Sequence, residues 1–417
     1  MRLYLLALNP TDSVTEGFLP AAARLGLKVT VLTDQPETHR RACPETEILE
    51  CGVRDFRAVI TRIATHHPPD AVFTNSDHLQ TQAALAADYF GLPAKPWRAA
   101  LRAKDKAHMR RHLAATGADT VWSTELPAGQ DPAVLTGSDA PYPRDVPYPP
   151  RDVPSPREVP YPCVVKPREG VASEDVTLVD GPGELALRCA EIQARRPGEA
   201  LVVEEYLTGP LFTLETLGDG RVRHVLGGFH TELSAPPYFI EERMAFVQAH
   251  PEPVVAQVLA QLDALGVGFG VCHTEFVVDE GRARLIEVNY RAIGDQCDLL
   301  LAELLDIPLF AHILRTHLGE PLPADLGART DGAARLEYPC ADRAGTLTAA
   351  PAAADLVVDG VRLVYRPLRE VGERHDLYRT NRDFLGVIRA TAPGAGQAAV
   401  DRAVADFLAA QRWEVTP

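Results

Sequence analysis

HTEFVVDEGRARLIEVNYRAIGD, residues 273–295, decides how the rest of the chain is read. The runs Val271 to Val278 and Ala283 to Asn289 are short and rich in β-branched residues, the composition of strands. Between them, Asp279-Glu280-Gly281-Arg282 forms a tight turn in which Gly281 takes φ > 0 at little cost. The stretch therefore predicts a β-hairpin. Side chains alternate along a strand, which puts Glu287 and Asn289 on one face. A register pairing Val278 with Arg284 sets Glu275 opposite Glu287 on that face. Two carboxylates and an amide oxygen then converge. Such oxygens suit a hard divalent cation such as magnesium, whose shell is completed by water and nucleotide phosphates. Arg291, two residues past Asn289, is placed to reach an anion held by that cation. The plainer reading is a solvated hairpin with two surface glutamates. The apolar runs around those glutamates, and the Arg and Gly-Asp that follow, favour the metal site.

A chain of 417 residues is too long for one core and predicts two or three packed domains. A net charge of −15 argues against nonspecific nucleic-acid binding and against an anionic membrane surface. It leaves room for ATP, because a local cluster of Lys and Arg with a metal suffices. No apolar run approaches the roughly 18–20 residues that span a bilayer. The apolar part of MRLYLLALNPTDS is too short for a signal peptide and reads as a buried strand. The cysteines are scattered without a C-x-x-C pair, which predicts reduced thiols in the cytoplasm and no zinc site.

In chain order, Leu3 to Leu8, Val29 to Leu32 and Ala71 to Phe73 read as buried strands. Phe18 to Leu25 and Gln80 to Phe90 read as helices, and the alternation indicates an α/β layer. No G-x-G-x-x-G follows the first strand, so a dinucleotide site is not expected. Arg98 to Thr116 reads as one long helix ended by Gly117; its Lys104, Asp105 and Lys106 taken alone make a charged helix face. Residues 126–162 differ. PYPRDVPYPPRDVPSPREVPYP, from Pro141 to Pro162, is a proline-dense near-repeat, read as an insertion outside the core that a proline-recognition partner could also bind.

The fold resumes at Pro162 to Pro167, a strand carrying Lys166, followed by Arg168 to Ser173 and the strand Val176 to Val179. A strand, a Gly/Ser loop and a strand can lay a flap of backbone N–H groups over phosphates, although one Gly and one Ser also make an ordinary hairpin. It is not a P-loop, since G-x-x-x-x-G-K-[ST] is absent. Leu201 to Leu207 is a buried strand with two acids, Glu204 and Glu205. Phe212 to Leu217 and Val222 to Gly227 form a meander. Pro251 to Leu265, Asp298 to Leu305, Pro308 to His317 and Gln397 to Trp413 are helical. LVVDGVRLVYRP is a hairpin turning at Asp359-Gly360, and Leu385 to Ala390 is a strand.

Taken in order, these pieces resemble the ATP-grasp superfamily of carboxylate–amine ligases, and the C-terminal region resembles its L-amino-acid ligase branch. The resemblance covers most of the chain. It rests on the Asp105-Lys106 helix, PCVVKP with its flap, VEEYLTG and the HTE…IEVNYR hairpin. It implies α/β and α+β architecture in three parts: an N-terminal α/β domain (1–97), the ATP-grasp domain (98–317) and a C-terminal α+β subdomain (318–417). It implies ATP as nucleotide, magnesium as metal and manganese as a substitute. Lys106 and Lys166 would contact phosphates, Gly170 to Ser173 would be the flap, and Glu204, Glu205, Tyr206 and Leu207 the adenine hinge. Glu275, Glu287 and Asn289 would bind magnesium, and Arg291 would steady an acyl phosphate. The family often carries a ribose-binding glutamate in a G-x-E pattern, but here Leu211 follows Gly209-Pro210, so Glu204 or Glu205 is left for the ribose. His273 is read as structural.

The implied reaction joins a carboxylate to an amine through an acyl phosphate, with ADP and phosphate as products. The opening LALNPTDSVTEGFLPAA is similar to ATP-grasp ligases of siderophore assembly. Glu241, Glu242 and Asp295 are candidate substrate contacts; Glu241 and Glu242 could equally be two acids at a helix start. The expected partners are small-molecule carboxylates and amines, with a homodimer left open and neither nucleic acid nor membrane. The competing functions are an ATP-grasp carboxylase or purine-pathway enzyme, and a scaffold without catalysis. The chain has no biotin-carrier segment, which weakens the carboxylase reading.

Overall fold

The computed structural model describes residues 1–135, 159–327, 332–394 and 396–417. Most of the proline-dense near-repeat, at 136–158, lies outside the described residues.

Strands β1 (Arg2–Leu6), β2 (Lys28–Thr33), β3 (Glu47–Glu50) and β4 (Ala71–Phe73) form a parallel sheet in the order β3-β2-β1-β4. From Leu3 to Leu6, β1 is buried because both its faces are covered. Leu3 and Leu5 pack with Phe18, Phe73 and Phe310, whereas Tyr4 and Leu6 pack with Val59 and Ile63. Phe310 belongs to the helix Leu309–His317, so this layer shares a core with the central part of the chain. The first helical segment begins earlier than expected, with a π-helical turn at Ser13–Phe18.

The single helix expected over 98–116 is two, Trp97–Lys104 and Lys106–Thr116. Asp105 breaks it: its backbone is extended, and its carboxylate accepts the His108 N–H at 2.9 Å, capping the second helix.

A small antiparallel sheet follows: β5 (Ser123–Leu126), β6 (Cys163–Pro167), β7 (Thr177–Val179) and β8 (Leu201–Glu205), ordered β5-β8-β6-β7. Val134, Leu135, Val159 and Tyr161 pack against its core, so both ends of the expected 126–162 insertion belong to this unit.

The third sheet is the largest. It takes in β9 (Leu211–Asp219), β10 (Arg223–Val225), β11 (Gly228–Leu233), β12 (Glu241–Val247), β13 (Phe269–Asp279), β14 (Arg282–Asn289) and β15 (Gly332–Glu337). It continues through β17 (Ala354–Val358), β18 (Val361–Pro367) and β20 (Gly386–Pro393). Its order is β14-β13-β9-β11-β12-β15-β20-β18-β17, with β10 paired to β9. The boundary expected at 317/318 therefore crosses a continuous sheet. β16 (Gly345–Ala349), β19 (Arg374–His375) and β21 (Glu414–Thr416) form a separate small sheet. The last helix stops at Ala410 and the chain ends on β21, so the helix expected to reach Trp413 is shorter. All seven cysteines are free thiols. Among the described residues, no helix is long and apolar enough to cross a membrane.

Candidate active site

The β13–β14 hairpin turns through Glu280 (φ 48°) and Gly281 (φ 78°), both left-handed, as a two-residue turn between twisted strands requires. Near the turn the register differs from the expected one. Val278 pairs with Ala283 and Val277 with Arg284. A β-bulge then adds one residue to β14, and Glu275 pairs with Glu287 after all. The bulge also shifts the alternation of β14. Before it, Ala283 and Leu285 enter the core; after it, Val288 and Tyr290 do. Glu287 and Asn289 are thereby left on the opposite face, beside Glu275 and His273.

Like charges directly across a strand pair repel, and two cations meet them here. Lys106 Nζ donates to Glu287 Oε1 at 2.8 Å and to the Gly170 carbonyl at 2.9 Å. His273 lies between Glu215 (Nδ1, 2.7 Å) and Glu275 (Nε2, 3.3 Å). Burial alone would push the His273 pKa down, but the two carboxylates raise it to about 10. Burial likewise works to raise the Glu275 pKa, and the hydrogen bond and charge of His273 outweigh it. For Lys106, burial opposes the ammonium form and Glu287 restores it, leaving the pKa raised. Asn289 Nδ2 donates to Glu275 Oε1 at 3.2 Å.

His273, Glu275, Glu287 and Asn289 face a cleft of about 1350 Å³ walled by all three parts of the chain. The N-terminal layer contributes Asp12, Asn75 and Asp77. The loop Arg168 to Glu174 between β6 and β7 covers one side, with Ala172 and Ser173 both at φ 55°. Asn381 and Arg382 arrive from the C-terminal region. Arg291 borders the cleft; its Nη1 donates to the Ala292 carbonyl at 2.8 Å, and among the described residues it forms no ion pair. Glu241 and Asp295 also border it. Glu241 accepts from Asn381 Nδ2 at 3.2 Å, and burial beside Glu275 and Asp295 pushes its pKa up to about 8. Asp295 is open to the cleft rather than packed, and shelter from bulk water raises its pKa. The adjacent acids Glu241 and Glu242 lie on strand β12, not at a helix start, so they point to opposite faces; Glu242 is exposed and outside the cleft.

The structure thus brings Gly170, Ser173, Glu275, Glu287, Asn289, Arg291, Glu241 and Asp295 together on the cleft, with Lys106 joined to them through Glu287 and the Gly170 carbonyl. Lys166, Glu204, Glu205, Tyr206 and Leu207 lie beyond the walls of this cleft. Glu204 is buried and accepts from Arg110 Nε at 3.0 Å and Nη2 at 2.9 Å, and Lys166 Nζ is 2.8 Å away. Burial would raise its pKa, but these cations hold it at about 2. Glu205 accepts from the Trp122 N–H and from Arg284, each at 2.9 Å. Both acids considered for the ribose are thus engaged by protein donors. Of the residues expected to form the hinge, the Glu205 and Tyr206 N–H groups are bonded to the carbonyls of Trp122 and Pro162.

Residues 159–299 match the ATP-grasp domain family. The chain has an ATP-grasp fold. Its ATP-grasp fold extends beyond that segment: the chain superposes on an L-amino acid ligase from Bacillus licheniformis with a TM-score of 0.77 and 22% identity, covering 100% of this chain and 99% of that one. The biotin carboxylase domain of the Hydrogenobacter thermophilus 2-oxoglutarate carboxylase, solved with MgADP, superposes with a TM-score of 0.66 and 16% identity, over 100% of this chain and 90% of that one. An uncharacterized protein, y4rH, of Sinorhizobium fredii is 28% identical over 271 residues, 61% of this chain and 53% of that protein. The chain spans about half the length of that curated relative.

Magnesium, the metal of the expected site, suits the donor set of the ATP-grasp domain. Among the described residues no three His, Cys, Asp or Glu side chains form a complete metal cage. Glu275, Glu287 and Asn289 supply two carboxylates and an amide, and the remaining ligands of a magnesium ion are ordinarily water and phosphate oxygens. Glu215, Arg110, Asn75, Lys95 and Asn381 gave no sequence signal. Each acts on a partner 58 to 217 residues away.

Proposed function

We propose that this protein is an ATP-dependent carboxylate–amine ligase that forms an amide through an acyl phosphate, releasing ADP and phosphate. The observation that supports this reading best is the convergence of Glu275, Glu287, Asn289 and Arg291 on one cleft, with Lys106 bonded to Glu287 at its wall. A carboxylate is a poor electrophile at neutral pH, and phosphorylation turns one of its oxygens into part of a good leaving group. Lys106 lies where it can neutralise charge spreading over the transferred phosphoryl oxygens. Bound magnesium, held by Glu275, Glu287 and Asn289, would supply further charge at the same place. Arg291, which forms no ion pair among the described residues, orients the carboxylate and steadies its acyl phosphate. The loop Gly170 to Ser173 shields the phosphates from water. The amine then attacks the acyl carbon and phosphate departs, with no covalent enzyme intermediate.

The carboxylate is proposed to be an amino acid or another small acid, with Glu241 and Asp295 as the carboxylates that meet an ammonium group. A place in siderophore or peptide-like metabolite assembly belongs to the same proposal. The test is an ATP-consumption screen of the purified protein against pairs of carboxylates and amines, with bicarbonate among the acids. Magnesium-dependent ADP release that requires both substrates is expected. AMP and pyrophosphate as stoichiometric products would overturn the reading.

A further inference from the structure

Arg291 stands on a segment that the N-terminal layer grips from both sides. The carbonyl of Tyr290, just before it, accepts from Lys95 Nζ, a residue 195 positions away. The N–H of Ala292, just after it, donates to Asn75 Oδ1 at 3.0 Å, across 217 positions. Lys95 is buried at 5% exposure, yet among the described residues it forms no ion pair with a carboxylate. Its ammonium is satisfied by neutral groups: the Tyr290 carbonyl, Gln80 Oε1 at 2.8 Å and the Tyr290 ring face at 4.5 Å. Gln80 is held in turn, its Nε2 donating to the carbonyls of Thr74 and Ser76 at 3.1 Å, on either side of Asn75.

Room for the lysine is built in. Gly270 has φ 77°, and a Cβ there would come within 2.8 Å of Lys95 Cε. An unpaired buried cation is costly, and burial pushes the Lys95 pKa down to about 7. A core that needed only apolar packing would be better served by Met or Leu at this position. What the lysine supplies is a donor aimed at the one carbonyl next to Arg291.

We propose that Lys95 and Asn75 are positioning residues for Arg291, so that the N-terminal layer sets where the reacting carboxylate lies. This rests on the role given to Arg291 above. Lys95→Met keeps the stem and removes the donor; Asn75→Ala removes the acceptor at the edge of the cleft, with little risk to folding. Each is expected to lower carboxylate-dependent kcat at least tenfold, with the KM for ATP within about twofold of wild type. Asn75→Asp, which keeps an acceptor oxygen, should recover most of the Asn75→Ala loss. Adding Arg291→Ala to Lys95→Met should lower kcat little further than Arg291→Ala does alone.

Three results overturn the inference: unchanged kcat in both single variants, a loss of ATP affinity that accounts for the fall in activity, or full additivity with Arg291→Ala. A wild-type protein without carboxylate-dependent ADP release would overturn the ligase reading first, and this inference with it. Release by wild type together with normal kcat in the variants would overturn this inference alone.

Discussion

Glu275 stands directly across from Glu287, and not from Ile286, because β14 carries one more residue than β13 at that point. Counting back from the turn, an unbroken ladder would pair Glu275 with Ile286. The bulge returns Glu287 to the cleft face while Leu285 and Val288, on either side of it, both stay in the core.

Replacing that carboxylate tests the pair. Glu287→Gln keeps the shape, removes the charge that Lys106 pairs with, and weakens a divalent-cation site. ADP release should fall with every carboxylate substrate, and raising the magnesium concentration should recover part of the loss. A magnesium titration of initial rates checks this; a loss insensitive to magnesium would contradict the metal-binding role.

Arg291→Ala is expected to fail differently. Losing a charged donor aimed at a developing anion typically costs about 3 kcal/mol, roughly a hundredfold in rate. ATP should bind with near-normal affinity by calorimetry, and magnesium should not rescue the variant. Abolished ATP binding, or rescue equal to that of Glu287→Gln, would show that the two residues do not have separate roles.

The Glu204–Arg110–Lys166 cluster predicts an acid limb of stability. Burial raises the Glu204 pKa, the two cations outweigh it, and the net value is about 2 against an ordinary 4.5. A depressed carboxylate contributes its stability above the unfolded value and loses it as pH falls toward the folded one. Stability should therefore decline as pH drops from about 4.5 to 2, and Glu204→Gln should flatten that decline. At neutral pH the same variant leaves two buried cations short of a partner and should cost about 3–5 kcal/mol. Urea unfolding at pH 7 and across the acid range measures both effects.

Deleting residues 139–158 should leave the melting temperature and ADP release nearly unchanged. The segment is proline-dense and poor in apolar side chains, which equips it badly for a core. The deletion stops before Val159 because Val159 and Tyr161 pack against the β5-β8-β6-β7 core. A large drop in melting temperature would show that the segment is structural.

Much was legible in local pattern. Strand β4, the Asp359-Gly360 turn and the helix ending at Leu265 lie where composition put them, because each is set by neighbours within a few residues. The pairing of Glu275 with Glu287 was legible in outcome, although the bulge was not, since nothing in ARLIEVN marks which residue is extra. Asp105 hid a helix break, because a capping aspartate and a helical surface aspartate look alike until the backbone turns.

Chemical identity came from residue types: carboxylates, an amide and an arginine at strand spacing define what the hairpin can bind. Which of them act together depended on long-range packing. Lys106 reaches Glu287 across 181 residues, and Asn75 reaches the Arg291 segment across 217. Lys166 and Glu204, read as nucleotide contacts, satisfy each other in a buried cluster with Arg110. Local spacing decides which side chains share a face of one strand; only the closing of the whole chain decides which charge is near enough to neutralise another.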